Sequence, residues 1–178
     1  MANNHQKSVS HAKKIIDDFS ELKSKFNLNC GMKLQFRNLD TFIHKDYQSS
    51  DLKYVKRFKE TELSKEEFAE IVDYIHEKNM ISVATPFDND SVKTFIDLNV
   101  QVLKIASCSN DDWPLLEEVS KLDRKIIIST GGATIKHLKK VYNLFKDNSR
   151  DFSFLHCVAE YPTSPDKAFL GRIHKLKE

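Results

Sequence analysis

Short apolar runs alternate with amphipathic stretches along most of the chain. Apolar residues recur every three or four positions in five segments that this spacing predicts to be helices, namely 12–26, 68–75, 92–98, 115–122 and 135–145. Between them lie short runs predicted to be strands, namely 32–36, 80–84, 102–105, 125–128 and 152–156. Strands that alternate with helices predict βαβ units and a parallel sheet, so the predicted fold class is α/β.

Capping residues and proline mark several element boundaries. Ser64, with Glu67 three residues later, forms a capping box, and Thr134 stands where a helix cap is expected. Pro86 is predicted to end the second strand early, because proline removes a backbone donor. Residues 37–63 form a long mixed segment, which we expect to be functional or partly helical.

Polar groups recur at the ends of the predicted strands. Lys104 lies in an apolar run that ends at Ser107, Lys33 lies in the first strand, and residues 126–131 end in hydroxyl groups and glycine. A lysine inside an apolar strand is costly unless its ammonium meets an anion or a carboxylate. These strand ends predict one anion site, and the alternative is a set of ordinary buried strands with snorkelling lysines.

The same strand ends favour a TIM-type (β/α) barrel, in which the functional site collects at the carboxyl ends of the strands. A doubly wound sheet would fit the number of strands, but no G-x-G-x-x-G follows any of them. Five to six βα units fall short of eight. We therefore predict an incomplete parallel barrel, with residues 1–178 as a single partial barrel domain.

Composition excludes several classes of protein. The 28 basic and 26 acidic residues are interleaved and give a net charge of +2, which does not favour nucleic-acid binding. No apolar run is long enough to cross a membrane, and residues 1–10 lack the apolar core of a signal peptide. We therefore expect a cytoplasmic protein that uses neither a membrane nor a nucleic acid as a partner.

Three cysteines, Cys30, Cys108 and Cys157, show no CxxC spacing. Each stands close to an apolar run. We expect buried, reduced thiols rather than disulfides or a zinc site.

Five motifs occur in the order and spacing seen in sialic acid synthases. They are KLQF at 33–36, ATPFD at 84–88, KIAS at 104–107, ISTG at 128–131 and LHCVAEYPT at 155–163. From about residue 3 to its end, the chain resembles the N-terminal barrel portion of this family. The family comprises N-acetylneuraminate synthases and the related legionaminate, pseudaminate and spore-coat polysaccharide synthases.

The resemblance implies a transferase of sialic acid and carbohydrate biosynthesis. Such an enzyme condenses phosphoenolpyruvate with an N-acylated hexosamine such as N-acetylmannosamine and releases phosphate. The family uses a divalent metal, Mn²⁺ or Mg²⁺. By resemblance, the phosphate and carboxylate of phosphoenolpyruvate would be held by Lys33, Thr85, Lys104, Ser107 and Ser129, and the sugar would be faced by Gln35 and Tyr161.

The chain also departs from the family pattern. The glutamate that precedes the Asn-His pair is absent, Lys7 replaces a glycine, and Ala159 stands where relatives carry Asn or Ser. The metal-binding histidines of the family lie on the seventh and eighth strands, so we assign no metal ligand and no catalytic residue in this chain. His156 belongs to the sixth-strand motif and is not such a ligand. We also expect this chain to lack the small antifreeze-like domain that follows the barrel in the family.

Three hypotheses follow. The first is a synthase-type enzyme that binds phosphoenolpyruvate weakly, if at all, and is inactive alone. Such a chain would form a homodimer, pair with a missing C-terminal half, or be a fragment or a diverged product. The second is a non-catalytic binding or assembly module derived from the same barrel. The third is another phosphoenolpyruvate aldol-type synthase, such as a deoxy-heptulosonate-type enzyme. Near the terminus, His5 is either a site residue or a solvated side chain.

Overall fold

The computed structural model describes residues 1–148 and 150–177. Its strands are β1 Gly31–Phe36, β2 Ile81–Pro86, β3 Val102–Ile105, β4 Lys125–Ser129 and β5 Phe152–Leu155. Its helices are α1 Val9–Phe26, α2 Leu39–Phe42, α3 Lys53–Glu60, α4 Lys65–Glu77, α5 Asn89–Asp97, α6 Trp113–Ser120, α7 Ile135–Asp147 and α8 Arg172–Lys175. Short 3₁₀ turns occupy Lys45–Tyr47, Ser107–Ser109 and Pro165–Lys167.

The chain divides into two compact units, Met1–Val102 and Leu103–Glu178. The first unit contains α1 to α5 with β1 and β2, and the second contains nearly all of β3 and everything that follows. Each unit is described by itself below. The single barrel domain over residues 1–178 stays a prediction.

In the first unit, β1 and β2 pair in parallel, with Lys33 opposite Val83 and Gln35 opposite Thr85. Burial alternates along β1, because successive side chains of a strand point to opposite faces. Met32, Leu34 and Phe36 are the buried set, and α1 packs against α4. Lys33 and Gln35 therefore share the opposite, partly exposed face.

The helices of this unit begin at residues whose side chains accept backbone hydrogen bonds. The Ser8 hydroxyl caps α1 by accepting from the His11 N–H at 3.1 Å. The predicted capping box of Ser64 and Glu67 is confirmed, since both of its reciprocal hydrogen bonds are present. These bonds satisfy donors that the first helical turn leaves unpaired.

Three helices end with the same Asn-based turn. Asn27, Asn79 and Asn99 follow α1, α4 and α5 with φ angles of 50°, 52° and 49°, in the left-handed region. After each Asn, the next N–H reaches back five residues to a helix carbonyl, for example from Met80 to Ile75 at 3.1 Å. This is the Schellman geometry, and Asn tolerates its left-handed residue better than most side chains.

The long segment 37–63 is partly helical, as predicted. It contains α2, a 3₁₀ turn and α3, and it has its own small core of Leu39, Ile43 and Val55, with Phe42 and Phe58 packed against it. Helices stabilised in this way keep the segment ordered beside the end of β1.

In the second unit, β4 and β5 pair in parallel, with Ser129 opposite Leu155. β3 is the hydrogen-bonded neighbour of β4, and α6 packs against α7. The predicted cap of α7 is confirmed, because the Thr134 hydroxyl accepts from the His137 N–H at 3.2 Å.

Two expectations about local structure are wrong. β2 continues to Pro86 instead of stopping near residue 84, since the pairing carries on past the proline through a 3.1 Å hydrogen bond from the Phe87 N–H to the Phe36 carbonyl. All three cysteines are free, but Cys108 is exposed and the other two are only partly covered. Cys108 is exposed because it lies in the 3₁₀ turn after β3 rather than in a strand.

None of the helices in the described part of the chain combines the length and the apolar character needed to cross a bilayer.

Candidate functional site

The carboxyl ends of β3 and β4 bring two of the predicted anion ligands together. The Lys104 ammonium donates to the Ser129 hydroxyl at 2.5 Å. Leu103 and Ile105 on either side of the lysine are fully buried, so strand alternation turns Lys104 to the other face. The side chain of Ser129 is itself buried.

Ser107 approaches the chain closely at Gly131, two residues after Ser129. A Cβ atom placed on Gly131 would lie 2.7 Å from the Ser107 hydroxyl oxygen and 3.1 Å from its Cβ. A side chain at this position would force Ser107 to shift, so the packing favours the glycine of the ISTG motif. Lys104, Ser107 and Ser129 are hereafter called the anion cluster, and all three lie in the second unit.

Sequence reasoning missed a buried amide behind the anion cluster. The Asn110 side chain donates to the Ser129 carbonyl at 3.3 Å and to the Gly131 carbonyl at 3.1 Å. The backbone carbonyl oxygen of Asn110 lies 2.6 Å from His137 Nε2. In the sequence, Asn110 is one polar residue in a polar turn, and no local pattern distinguishes it.

In the first unit, three predicted site residues lie side by side. Lys33 and Gln35 share one face of β1, and Thr85 stands opposite Gln35 in the register of β2, so the three side chains project from the same face. Thr85 is 1% exposed, and its hydroxyl has no hydrogen-bond partner within residues 1–148 and 150–177. Buried hydroxyls are nearly always paired, so this unpaired oxygen is unusual within the described part of the chain.

Arg37 fixes the orientation of the Gln35 amide. The Arg37 Nη2 donates to the Gln35 side-chain oxygen at 2.9 Å. Because a guanidinium only donates, the oxygen of the amide must face it and the amide NH₂ must face away. The Arg37 guanidinium is held over the rings of Phe87 and Phe58, at 4.1 and 4.6 Å from their centroids.

His5 is buried, at 2% exposed, so the solvated alternative for this residue is wrong. Its ring lies edge-on to Phe68, and its Nδ1 accepts from the Lys7 N–H at 3.2 Å. Burial lowers the pKa of His5, and the nearby N-terminal amine lowers it further. His5 and Gln35 both line a small cavity of about 30 Å³, which is room for one water molecule.

The metal and sugar predictions find no added support. Within the described residues, no group of three or more His, Cys, Asp or Glu side chains stands close enough to hold a metal ion, so the residues present do not fit the family's divalent metal. Tyr161 is 96% exposed and is not gathered into the anion cluster. Its role in facing the sugar stays a prediction.

The sequence profile of the NeuB family matches residues 25–178. The chain belongs to this family. One relative, the N,N'-diacetyllegionaminic acid synthase of Campylobacter jejuni, is 27% identical over 98% of this chain and 54% of its own. Other relatives are the N-acetylneuraminate-9-phosphate synthase of Mus musculus, 27% identical over 98% of this chain and 50% of its own, and the pseudaminic acid synthase of Helicobacter pylori, 30% identical over 62% of this chain and 33% of its own.

Two solved structures resemble the whole chain. A candidate spore coat polysaccharide biosynthesis protein E from Chromobacterium violaceum has a TM-score of 0.94 and 41% identity, covering 99% of this chain and 53% of its own. A sialic acid synthetase from Leptospira borgpetersenii has a TM-score of 0.86 and 30% identity. The match covers 99% of this chain and 58% of the synthetase chain. The chain spans about half the length of the curated NeuB relatives it matches, between 49% and 54% for the first three.

The predicted fold class, part of a TIM-type (β/α) barrel, is confirmed. A heptulosonate synthase from Thermotoga maritima also matches, with a TM-score of 0.58 but 9% identity, and this likeness shows a shared fold alone. Membership of the NeuB family favours the sialic acid synthase relationship over the heptulosonate-type alternative.

Proposed function

We propose that this NeuB chain carries the phosphoenolpyruvate-binding part of a nonulosonic acid synthase. The reaction would join C3 of phosphoenolpyruvate to the aldehyde carbon of an open-chain N-acylated hexosamine. Water would add to C2, and inorganic phosphate would leave. The observation that carries the proposal is the 2.5 Å contact of Lys104 with Ser129 at adjoining strand ends, in a chain of this family.

The chemistry of the anion cluster suits a small phosphorylated carboxylate. Lys104 supplies a positive charge, while Ser107 and Ser129 supply hydroxyl groups that can donate to phosphate or carboxylate oxygens. Charge-assisted hydrogen bonds of this kind are stronger than neutral ones, because the acceptor is ionised. An incoming oxyanion would give the Lys104 ammonium a stronger acceptor than the Ser129 hydroxyl.

The first unit supports the proposal through separate groups. The Thr85 hydroxyl, which has no partner among the described residues, is suited to an oxyanion, and Lys33 places a positive charge on the same face of the β1–β2 pair. The Gln35 NH₂, turned outward by Arg37, is suited to an oxygen acceptor such as a sugar hydroxyl or an N-acyl carbonyl. Because the residues present do not fit a divalent metal, no step here is assigned to one.

The proposal is tested by calorimetric titration of the purified 178-residue chain with phosphoenolpyruvate. We expect weak binding that Lys104→Met lowers by roughly 10–100-fold, the range for a charge-assisted hydrogen bond. Lys136→Met removes an exposed lysine of α7 and is the matched control, with affinity unchanged. Equal affinities in the two variants would contradict the proposal.

Turnover is measured separately, as phosphate released from phosphoenolpyruvate in the presence of N-acetylmannosamine and Mn²⁺. We expect binding without turnover, because the residues of this chain lack a metal-binding group in its described part. Manganese-dependent product formation would overturn the hypothesis that the chain is inactive alone, while leaving the binding proposal in place.

A further inference from the structure

The buried amide of Asn110 spans two carbonyls at the end of β4. We propose that Asn110 is a positioning residue, which holds the Ser129–Gly131 segment so that the Ser129 hydroxyl stays against the Lys104 ammonium. Asn110 is 5% exposed and donates to the Ser129 and Gly131 carbonyls at 3.3 and 3.1 Å. The inference rests on the proposed function, because the segment it holds belongs to the anion cluster.

An asparagine amide suits this place because it carries two N–H donors on one nitrogen. The two carbonyls belong to residues two apart in the chain, so one side chain fixes both. Carbonyl oxygens carry partial negative charge, and an unengaged pair beside an anion site would repel the anion. By donating to both, Asn110 fixes where these oxygens point and compensates part of their charge.

Asn110 is in turn held by α7. The backbone carbonyl oxygen of Asn110 lies 2.6 Å from His137 Nε2. Since a carbonyl oxygen can only accept a hydrogen bond, Nε2 carries the proton. His137 lies in the first turn of α7, and its backbone N–H donates to the Thr134 cap. A continuous set of contacts therefore runs from the start of α7 through His137 and Asn110 to the end of β4.

The role of the amide can be separated from its volume by substitution at one position. Asn110→Leu keeps a similar size but donates nothing. Asn110→Asp keeps the shape but points acceptor oxygens at two carbonyls and adds a negative charge near the anion. Asn110→Gln keeps the donors on a longer arm, so it should restore part of what the other two lose.

The binding assay uses the intrinsic fluorescence of Trp113, the single tryptophan of the chain, whose ring lies 5.9 Å from that of His137. Phosphoenolpyruvate and inorganic phosphate are the two probes. We expect Asn110→Leu to raise the dissociation constant for phosphoenolpyruvate about tenfold, the equivalent of one net hydrogen bond. Asn110→Asp should raise it further, and Asn110→Gln should raise it less.

Asn148→Leu is the matched control. The Asn148 amide donates to the Leu144 carbonyl at 2.8 Å at the other end of α7, so this variant also loses a side chain to backbone hydrogen bond in the second unit. It should lower thermal stability while leaving the dissociation constant for phosphoenolpyruvate unchanged. Equal binding losses in the Asn110 and Asn148 variants would show a general effect on stability and overturn the proposal.

A second measurement does not depend on any ligand. An amine-directed reagent is applied to the ligand-free chain, and the modification rate of Lys104 is compared with that of the exposed Lys136 by mass spectrometry. Loosening the Ser129 contact should raise the Lys104 modification rate several-fold in Asn110→Leu. Asn110→Asp, which also loses the amide donors, takes its place if the leucine variant does not fold. An unchanged Lys104 rate overturns the inference even if phosphoenolpyruvate binds. If the native chain binds neither probe, the proposed function fails, and the labelling still decides the role of Asn110.

Discussion

Replacing Gly131 by alanine tests the tightest packing in the anion cluster. The added methyl would lie 2.7 Å from the Ser107 hydroxyl oxygen and 3.1 Å from the Ser107 Cβ, while Cys157 stands at an ordinary 3.4 Å. A positive φ is recorded for Gly132 but not for Gly131. The cost of Gly131→Ala should therefore come from this contact and not from backbone strain.

The magnitude follows from the two distances. Inserting a methyl group into a well-packed site costs about 1–3 kcal/mol. Ser107 can turn its hydroxyl away but cannot withdraw its Cβ. We therefore expect Gly131→Ala to lower the free energy of unfolding by about 2 kcal/mol, near the middle of this range. With a urea m-value of about 2 kcal/mol/M, the unfolding midpoint would fall by about 1 M.

A double-mutant cycle with Ser107 identifies the cause. Ser107→Ala removes the 2.7 Å contact and leaves the 3.1 Å one, so it should recover about half of the loss, roughly 1 kcal/mol of coupling. Ser107→Gly removes both contacts and should recover more. Free energies of unfolding come from urea titrations followed by circular dichroism.

The neighbouring glycine supplies the control. A Cβ on Gly132 would meet nothing within 4 Å, but its φ of +76° is unfavourable for an L-residue. Gly132→Ala should therefore cost about 1–2 kcal/mol through the backbone, and no Ser107 substitution should recover it. The contact argument is refuted if the loss in Gly131→Ala is the same with and without the Ser107 side chain.

Three further predictions concern the first unit. Arg37→Met keeps the apolar length but removes the guanidinium from its aromatic rings and from Gln35, and should cost about 2 kcal/mol in urea unfolding. Burial lowers the pKa of His5 in the folded state, so the folded chain binds a proton at this site less readily than the unfolded chain does. The stability that neutral His5 contributes is therefore fully present above the unfolded pKa of about 6.5, and it is lost as the pH falls through the pKa of the folded state. His5→Gln removes that contribution, so the stability difference between the native chain and this variant should shrink on acidification. Ser64→Ala should cost about 1 kcal/mol by removing the cap of α4, as thermal unfolding would record.

Each of these has a matched comparison. Arg37→Lys keeps the positive charge but lacks the planar guanidinium group. If this variant is as stable as the native chain, the contacts of the guanidinium group are not the cause of the loss in Arg37→Met. For His5→Gln the comparison is between neutral and acidic pH, and a stability difference from the native chain that stays level with pH would contradict the burial argument. Ser64→Thr keeps a hydroxyl acceptor, so equal losses for threonine and alanine would mean that the cap is not the cause.

The elements that could be predicted from sequence are those specified by near neighbours in the chain. The caps at Ser64 and Thr134 depend on residues three positions away, and the strand β3 was predicted with its observed bounds because its apolar run is short and well bounded. Pro86 was misjudged, since the pairing of β2 past this residue depends on a carbonyl of β1 that no local pattern specifies.

The candidate site divides in the same way. Lys104 and Ser129 are far apart in the chain, yet they were predicted to meet because parallel strands bring their carboxyl ends to one edge. Asn110 and Arg37 were missed, because the carbonyls and aromatic rings that give them a role come from distant segments. A polar residue in a turn and an arginine after a strand have too many ordinary explanations to be singled out without those partners.

The repeated joint between helix and strand has a consequence for protein engineering. Asn27, Asn79 and Asn99 occupy left-handed backbone where glycine has no steric penalty, so Asn→Gly at each should change stability independently of the others, with a gain of up to about 0.5 kcal/mol once the freedom of glycine in the unfolded chain is subtracted. All three precede the amino ends of strands, while Thr85 and Lys104 lie toward the carboxyl ends of β2 and β3. The chain thus offers three equivalent positions at which thermal stability could be tuned without replacing any of the predicted site residues.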